Sequence, residues 1–103
     1  MDPEINRLRG MIDNIDLDIL NLLNRRAACA LRIGAIKRAE GRPIYDPLRE
    51  GVIIGRAQDG SSGPLTREAV RRLYERILDE SRSLERAVNS PRDRDSDSEG
   101  NDT

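Results

Sequence analysis

Residues 5–40, INRLRGMIDNIDLDILNLLNRRAACALRIGAIKRAE, contain no proline and only two glycines. Apolar residues recur along this stretch with a heptad period, in two registers that include Ile5, Ile12, Ile19 and Ile33, and Leu8, Ile15, Leu22, Cys29 and Ile36. This period predicts one long helix with an apolar seam. A second apolar stripe includes Ala27, Leu31 and Gly34, so the long helix has apolar residues on more than one side. More than one neighbouring helix is therefore needed to cover the long helix.

Arg26 occupies a seam position where Ile or Leu is expected, in the register of Ile19 and Ile33. A charge directed into an apolar seam is costly unless a group of opposite charge meets it. Lys37 follows eleven residues later, which places it about 20° away around the helix axis and about 16 Å along it. The two cations therefore point the same way and can converge on a small anion, although a buried salt bridge or a register device would explain Arg26 equally well.

The composition favours a small all-α domain. The chain has 103 residues, of which 36% are hydrophobic and 36% charged, with two tyrosines and no Phe, Trp or His. Such a composition suits helices better than sheets. A single domain of this size is near the lower limit for burying a good core alone, so a partner chain would help.

Several classes of function conflict with the composition. The 18 basic and 19 acidic residues nearly cancel, so the broad positive field of a nucleic-acid binder is missing. Without His, and with Cys29 expected to be a small buried hydrophobic residue, neither a zinc site nor a Ser-His or Cys-His pair can be built. The segment MDPEIN is unlike a signal peptide and no run is long enough to span a membrane, so we expect a cytoplasmic protein.

Local signals divide the chain into three helices: one long, one short and one of medium length. Asp2-Pro3 is typical of a helix start, and Gly41 is typical of a left-handed helix end. Asp46-Pro47 predicts a short second helix from about residue 47, expected to pack against the first helix and to stop at the turn DGSSGP. Arg49 and Glu50 in its first turn are also compatible with a solvated charge pair.

Thr66 opens the third helix, whose predicted apolar face consists of Val70, Leu73, Tyr74, Ile77, Leu78, Leu84 and Val88. Ser81 and Glu85 interrupt or border that face. Their simplest interpretations are a serine bonded back to its own helix and a solvated glutamate at the helix edge. Residues 89–103 have no apolar side chain and are predicted to be a disordered tail, leaving residues 1–88 as the domain.

The runs LRxxIDxIDxxILxLLNRR (8–26), IGAIK (33–37), GxPIYDPxRE (41–50) and DESxxLE (79–85) resemble the all-helical chorismate mutases over nearly all of residues 5–88. This resemblance implies an intertwined helical homodimer with two identical active sites. It implies rearrangement of chorismate to prephenate, in phenylalanine and tyrosine biosynthesis, without cofactor, metal or covalent intermediate. The residue composition agrees with this reaction. An intramolecular rearrangement requires that the substrate be held in one conformation and that developing charge be stabilised, but it requires no nucleophile.

The resemblance also implies a role for each motif residue. Arg26 resembles the arginine that grips a substrate carboxylate, and Lys37 the lysine that serves a carboxylate and the breaking ether oxygen. Arg9 resembles the arginine that each subunit of the family's dimers contributes to the active site of the other subunit. The remaining site residues are the Asp46–Glu50 pair for the ring hydroxyl, Arg49 as a supporting cation, Ser81 near a carboxylate, and Glu85 as second ether-oxygen donor. Relatives have Gln or Glu at that last position, so the protonation state of Glu85 stays open.

Two other functions remain as alternatives. An isochorismate-pyruvate lyase could use similar cations on the same scaffold, because a fold does not decide the chemistry. A non-catalytic helical dimerisation or regulatory module is the other, and the presence of Arg26, Lys37, Glu50 and Glu85 argues against it. A purely structural coiled coil would leave the charge in the seam unexplained. Docking onto another shikimate-pathway enzyme is left open.

Overall fold

The computed structural model describes residues 2–89, which form three helices: α1 (Pro3–Ala39), α2 (Pro47–Gly60) and α3 (Arg67–Asn89). This part of the chain contains no strand, so the all-α prediction with one long, one short and one medium helix is confirmed. The predicted tail lies outside the described residues, apart from Asn89. None of the helices in residues 2–89 is both long and apolar enough to cross a membrane.

The ends of the helices follow the predicted local signals. The Asp2 carboxylate accepts a hydrogen bond from the Glu4 amide at 2.8 Å and caps α1. At the other end Gly41 has φ of 68°, the left-handed conformation that favours glycine. The Thr66 hydroxyl accepts from the Ala69 amide at 3.0 Å at the start of α3.

α3 lies between the other two helices and packs against both. α1 presents its second apolar stripe to α3, so that Gly34 is buried and Ala27 and Leu31 are half-buried. The prediction that α2 packs against α1 is wrong, because α2 packs against α3, and α1 and α2 do not pack together within residues 2–89. The linker from residue 40 to residue 46 carries the chain away from α1 and leaves a cavity between the two helices.

The heptad seam of α1 is left uncovered by the rest of residues 2–89. Side chains along it are 43% to 57% exposed: Ile5, Leu8, Ile12, Ile15, Ile19, Leu22, Ile33 and Ile36. Two further predictions are wrong, since Cys29 of α1 is exposed and Leu73 of α3 is 52% exposed. α3 is a single cylinder about 10 Å wide and can cover only one face of α1.

The chain accordingly has little interior of its own. Val70 and Leu78, at 4% and 5% exposure, are the only buried hydrophobic residues in the described region. The radius of gyration is 17.5 Å, against about 13 Å for a compact domain of 100 residues. The exposed seam residues of α1 form an apolar stripe of the kind that marks an interaction surface.

Candidate active site

A cavity of about 260 Å³ lies between α1, the linker, α2 and α3. It is lined by seven of the eight residues that the resemblance singled out, namely Arg26, Lys37, Asp46, Arg49, Glu50, Ser81 and Glu85. These residues span 60 positions of the sequence and come from all three helices and the linker. The tertiary fold therefore gathers them into one site.

Arg26 reaches from α1 to α3 at the wall of the cavity. Its guanidinium donates a hydrogen bond to the Ser81 Oγ at 2.9 Å, and the Ser81 hydroxyl in turn donates to the Ile77 carbonyl at 3.0 Å. Ser81 thus does bond back to its own helix, as its simplest interpretation requires, and orients Arg26 as well. Both side chains are half-buried, so the Arg26 guanidinium is not buried in an apolar seam without contact with water.

Lys37 lies on the same side of α1 as Arg26 and also faces the cavity, as the eleven-residue spacing predicts. Its ammonium donates to the Ile44 carbonyl of the linker at 3.4 Å, a long bond that leaves other donor positions of the ammonium available. Asp46 ends the linker and caps α2, with its carboxylate accepting from the Arg49 amide at 3.1 Å. This cap sets where α2 begins, and with it the position of Glu50.

Glu85 is the most buried ionisable side chain of the site, at 8% exposure. The interpretation of Glu85 as a solvated helix-edge residue is therefore wrong. Burial raises its pKa above the ordinary glutamate value, because a carboxylate loses hydration inside the protein. The positive charges of Lys37 and Arg26 lower the pKa in opposition, and burial prevails.

Glu50 is half-buried, and its carboxylate pairs with Arg82 of α3. One guanidinium nitrogen of Arg82 lies 2.5 Å from each of the two carboxylate oxygens. The alternative of a solvated Arg49–Glu50 pair is wrong for Glu50, although Arg49 itself is exposed. Sequence reasoning missed Arg82, since 32 positions separate it from Glu50 and no local spacing links them. The apolar part of the wall, which includes Ile33, Ile44, Ile53 and Leu78, was also not predicted.

Arg9 is the predicted residue that the cavity lacks. It is exposed on α1, seventeen residues before Arg26 on one continuous helix. That separation corresponds to about 25 Å along the axis. Arg9 therefore cannot reach the cavity of its own chain.

The arrangement suits an organic anion better than a metal ion. No group of three or more His, Cys, Asp or Glu side chains is placed to hold a metal within residues 2–89. The cavity combines cations and hydrogen-bond donors with apolar walls. Such sites bind and orient small charged molecules, and they stabilise charge that develops during a reaction.

Comparison with known proteins finds relatives whose names include a chorismate mutase. Over 80 residues the chain is 42% identical to the bifunctional chorismate mutase/prephenate dehydratase of Neisseria gonorrhoeae, covering 78% of this chain and 22% of that protein. It is 38% identical over 89 residues to the protein of the same name from Aquifex aeolicus, covering 82% of this chain and 25% of the relative. The chain thus spans about a quarter of the length of these curated relatives.

Two solved structures match over most of their own length. Chorismate mutase (form II) from Thermus thermophilus superposes with a TM-score of 0.81 at 31% identity, covering 84% of this chain and 99% of that one. Chorismate mutase from Helicobacter pylori, solved in complex with prephenate, gives 0.76 at 32% identity, covering 82% and 92%. The family model for chorismate mutase type II matches residues 8–86. With the helices and the cavity described above, this match shows that the chain belongs to the chorismate mutase type II family.

Proposed function

We propose that this chain catalyses the rearrangement of chorismate to prephenate. The observation that carries the proposal is the convergence of Arg26, Lys37, Ser81 and Glu85 on one cavity with apolar walls. Chorismate carries two carboxylates and an ether oxygen that gains negative charge as its bond to carbon breaks. The reaction forms one carbon–carbon bond within the same molecule, so no nucleophile or co-reactant is required.

Each group of the cavity has a task in this scheme. Arg26, oriented by Ser81, binds a substrate carboxylate. Lys37 binds a carboxylate and donates to the ether oxygen, and neutral Glu85 donates to the same oxygen from the opposite helix. Asp46 and Glu50 recognise the ring hydroxyl, and Arg49 adds positive charge at the rim. Donors fixed in advance around developing charge lower the barrier because they need no reorganisation during the reaction.

The active unit in this proposal is a homodimer with shared sites. The exposed seam of α1 supports it, because a second copy of the same helix offers a matching apolar surface. The position of Arg9 supports it too, since an arginine about 25 Å from Arg26 on a straight helix can serve only a neighbouring chain's cavity. Docking of the dimer onto another shikimate-pathway enzyme is a separate expectation. The residues of the cavity give no argument for or against it.

The direct test is to add chorismate to the purified protein and follow its conversion to prephenate. A parallel assay with isochorismate and detection of pyruvate tests the lyase alternative. We expect turnover of chorismate alone, since Asp46 and Glu50 both line the cavity where the ring hydroxyl would lie. Absence of chorismate turnover above the uncatalysed rate would refute the proposal.

Arg26→Ala and Lys37→Ala should each lower kcat/KM by about 10²- to 10³-fold, the usual cost of removing one donor that stabilises the charge developing in a transition state. The matched controls are Arg25→Ala and Arg38→Ala, each one position away on α1 and exposed. The controls should retain near-normal activity, and all four variants should keep their helical circular dichroism. Equal losses in a variant and its neighbouring control would argue against the assigned role.

Glu85→Gln should change the pH dependence of the reaction. Glu85 donates only when protonated, and burial raises its pKa, so kcat/KM should fall as the pH rises through that raised value. A Gln amide donates at every pH, and the variant should lose this alkaline fall. The measurement is kcat/KM against pH for both proteins over the range in which they stay folded. Profiles of identical shape would exclude Glu85 as the titrating donor.

Mixing Arg9→Ala and Arg26→Ala chains tests the shared sites. Each homodimer lacks one required arginine at both sites, whereas a heterodimer has one intact site. Random exchange makes half of the dimers heterodimers, so about one quarter of the wild-type activity should return. Mass spectrometry of the intact dimers measures the exchange, and a sample mixed without exchange is the control. No recovery after demonstrated exchange would mean that Arg9 serves no neighbouring site.

A further inference from the structure

The cavity is lined by one cation to which the proposed reaction gives no task. Arg82 extends from α3, one residue after Ser81, and meets Glu50 of α2. We propose that Arg82 is a positioning residue that holds and neutralises the Glu50 carboxylate. Glu50 can then accept a hydrogen bond from the ring hydroxyl of the substrate without repelling the carboxylates of the substrate. This inference rests on the proposed function and adds a specificity-determining contact to it.

The contacts of Arg82 fix it on three sides. One guanidinium nitrogen donates to both oxygens of Glu50, and the other donates to Asp79 at 3.2 Å. The guanidinium carbon lies 5.3 Å from the centre of the Tyr45 ring, within the range of a cation–π contact. Arg82 thereby joins the linker, α2 and α3 at the edge of the cavity.

Burial separates this ion pair from the other pairs on α3. The side chains of Arg82 and Glu50 are 21% and 20% exposed, whereas Arg76, which pairs with Asp79 and Glu80, is 73% exposed. Pairs at the surface contribute little because water screens them, but a half-buried carboxylate left without its partner is strongly disfavoured. The half-buried Glu50 carboxylate therefore depends on Arg82 as its partner of opposite charge.

The ligand chemistry gives the pair its second purpose. A substrate with two carboxylates meets a cavity that contains the carboxylates of Asp46 and Glu50. An unpaired Glu50 would repel the ligand, and it would also rotate freely instead of presenting one oxygen to the hydroxyl. The planar guanidinium can engage Glu50 and Asp79 together while stacking on Tyr45, which a lysine ammonium cannot do.

The experiment is a double-mutant cycle on Arg82→Gln and Glu50→Gln, with KM and kcat for chorismate measured in each protein. Arg82→Gln should raise KM about tenfold or more and change kcat much less, since the lost interaction affects the ground state and transition state alike. The double variant should be no worse than Glu50→Gln alone, because with a neutral residue at position 50 nothing remains for Arg82 to neutralise. Arg82→Lys keeps the positive charge but loses the planar guanidinium with its several donors. Its KM should lie between those of the wild-type protein and Arg82→Gln.

Arg76→Gln is the matched control, since it removes an arginine from the same helix that also pairs with Asp79 but lies outside the cavity. It should leave KM and kcat unchanged. Thermal unfolding followed by circular dichroism checks that each variant is folded. If Arg82→Gln does not fold, the cycle is run with Arg82→Lys in its place, with a smaller rise in KM expected and the same non-additivity.

The possible outcomes separate this inference from the proposed function. No turnover by the wild-type chain refutes both. With an active wild-type chain, an unchanged KM in the Arg82 variants refutes the positioning role alone. Losses that add in the double variant would also refute it, because they would mean that Arg82 acts on the substrate independently of Glu50.

Discussion

The structure depends on a balance of charge inside one cavity. Four cations and three carboxyl groups line it, which leaves one unit of positive charge with Glu85 ionised and two with Glu85 protonated, and the second value matches the two carboxylates of the proposed substrate. Burial favours the protonated form of Glu85 against the opposing effect of the nearby cations on its pKa, and Glu50 has a partner of its own in Arg82. The half-buried cations Arg26, Lys37 and Arg82 would each be matched by a protein carboxylate or by the ligand, as charge removed from water requires.

This requirement also shapes the packing. Arg26 and Lys37 on α1 face Ser81 and Glu85 on α3 and Asp46 and Glu50 at the start of α2, so the cavity occupies space that would otherwise hold a hydrophobic core. Few side chains are buried among the described residues. The seam of α1 is left as an apolar surface, and the proposed dimer would provide both the missing core and the missing Arg9.

Local features of the chain were predictable. The starts of the helices follow from Asp2, Asp46 and Thr66, and the end of α1 follows from Gly41, because caps and left-handed glycines act within a few residues. The expected packing of α2 against α1 and the expected burial of Leu73 and Cys29 were wrong. Apolar periodicity identifies the face of a helix that will be covered, but it does not identify the helix that covers it or the chain to which that helix belongs.

The sequence by itself determined the long helix, its two cations on one side and the short inventory of reactive groups, because helical period and residue chemistry are independent of the rest of the fold. Only the tertiary structure decided that Glu85 is buried with a raised pKa, that Ser81 orients Arg26, and that Arg82 neutralises Glu50. These properties depend on the distance between side chains far apart in the chain and on their exclusion from water. Both are set when the helices pack, since electrostatic energies change with burial far more than with sequence spacing.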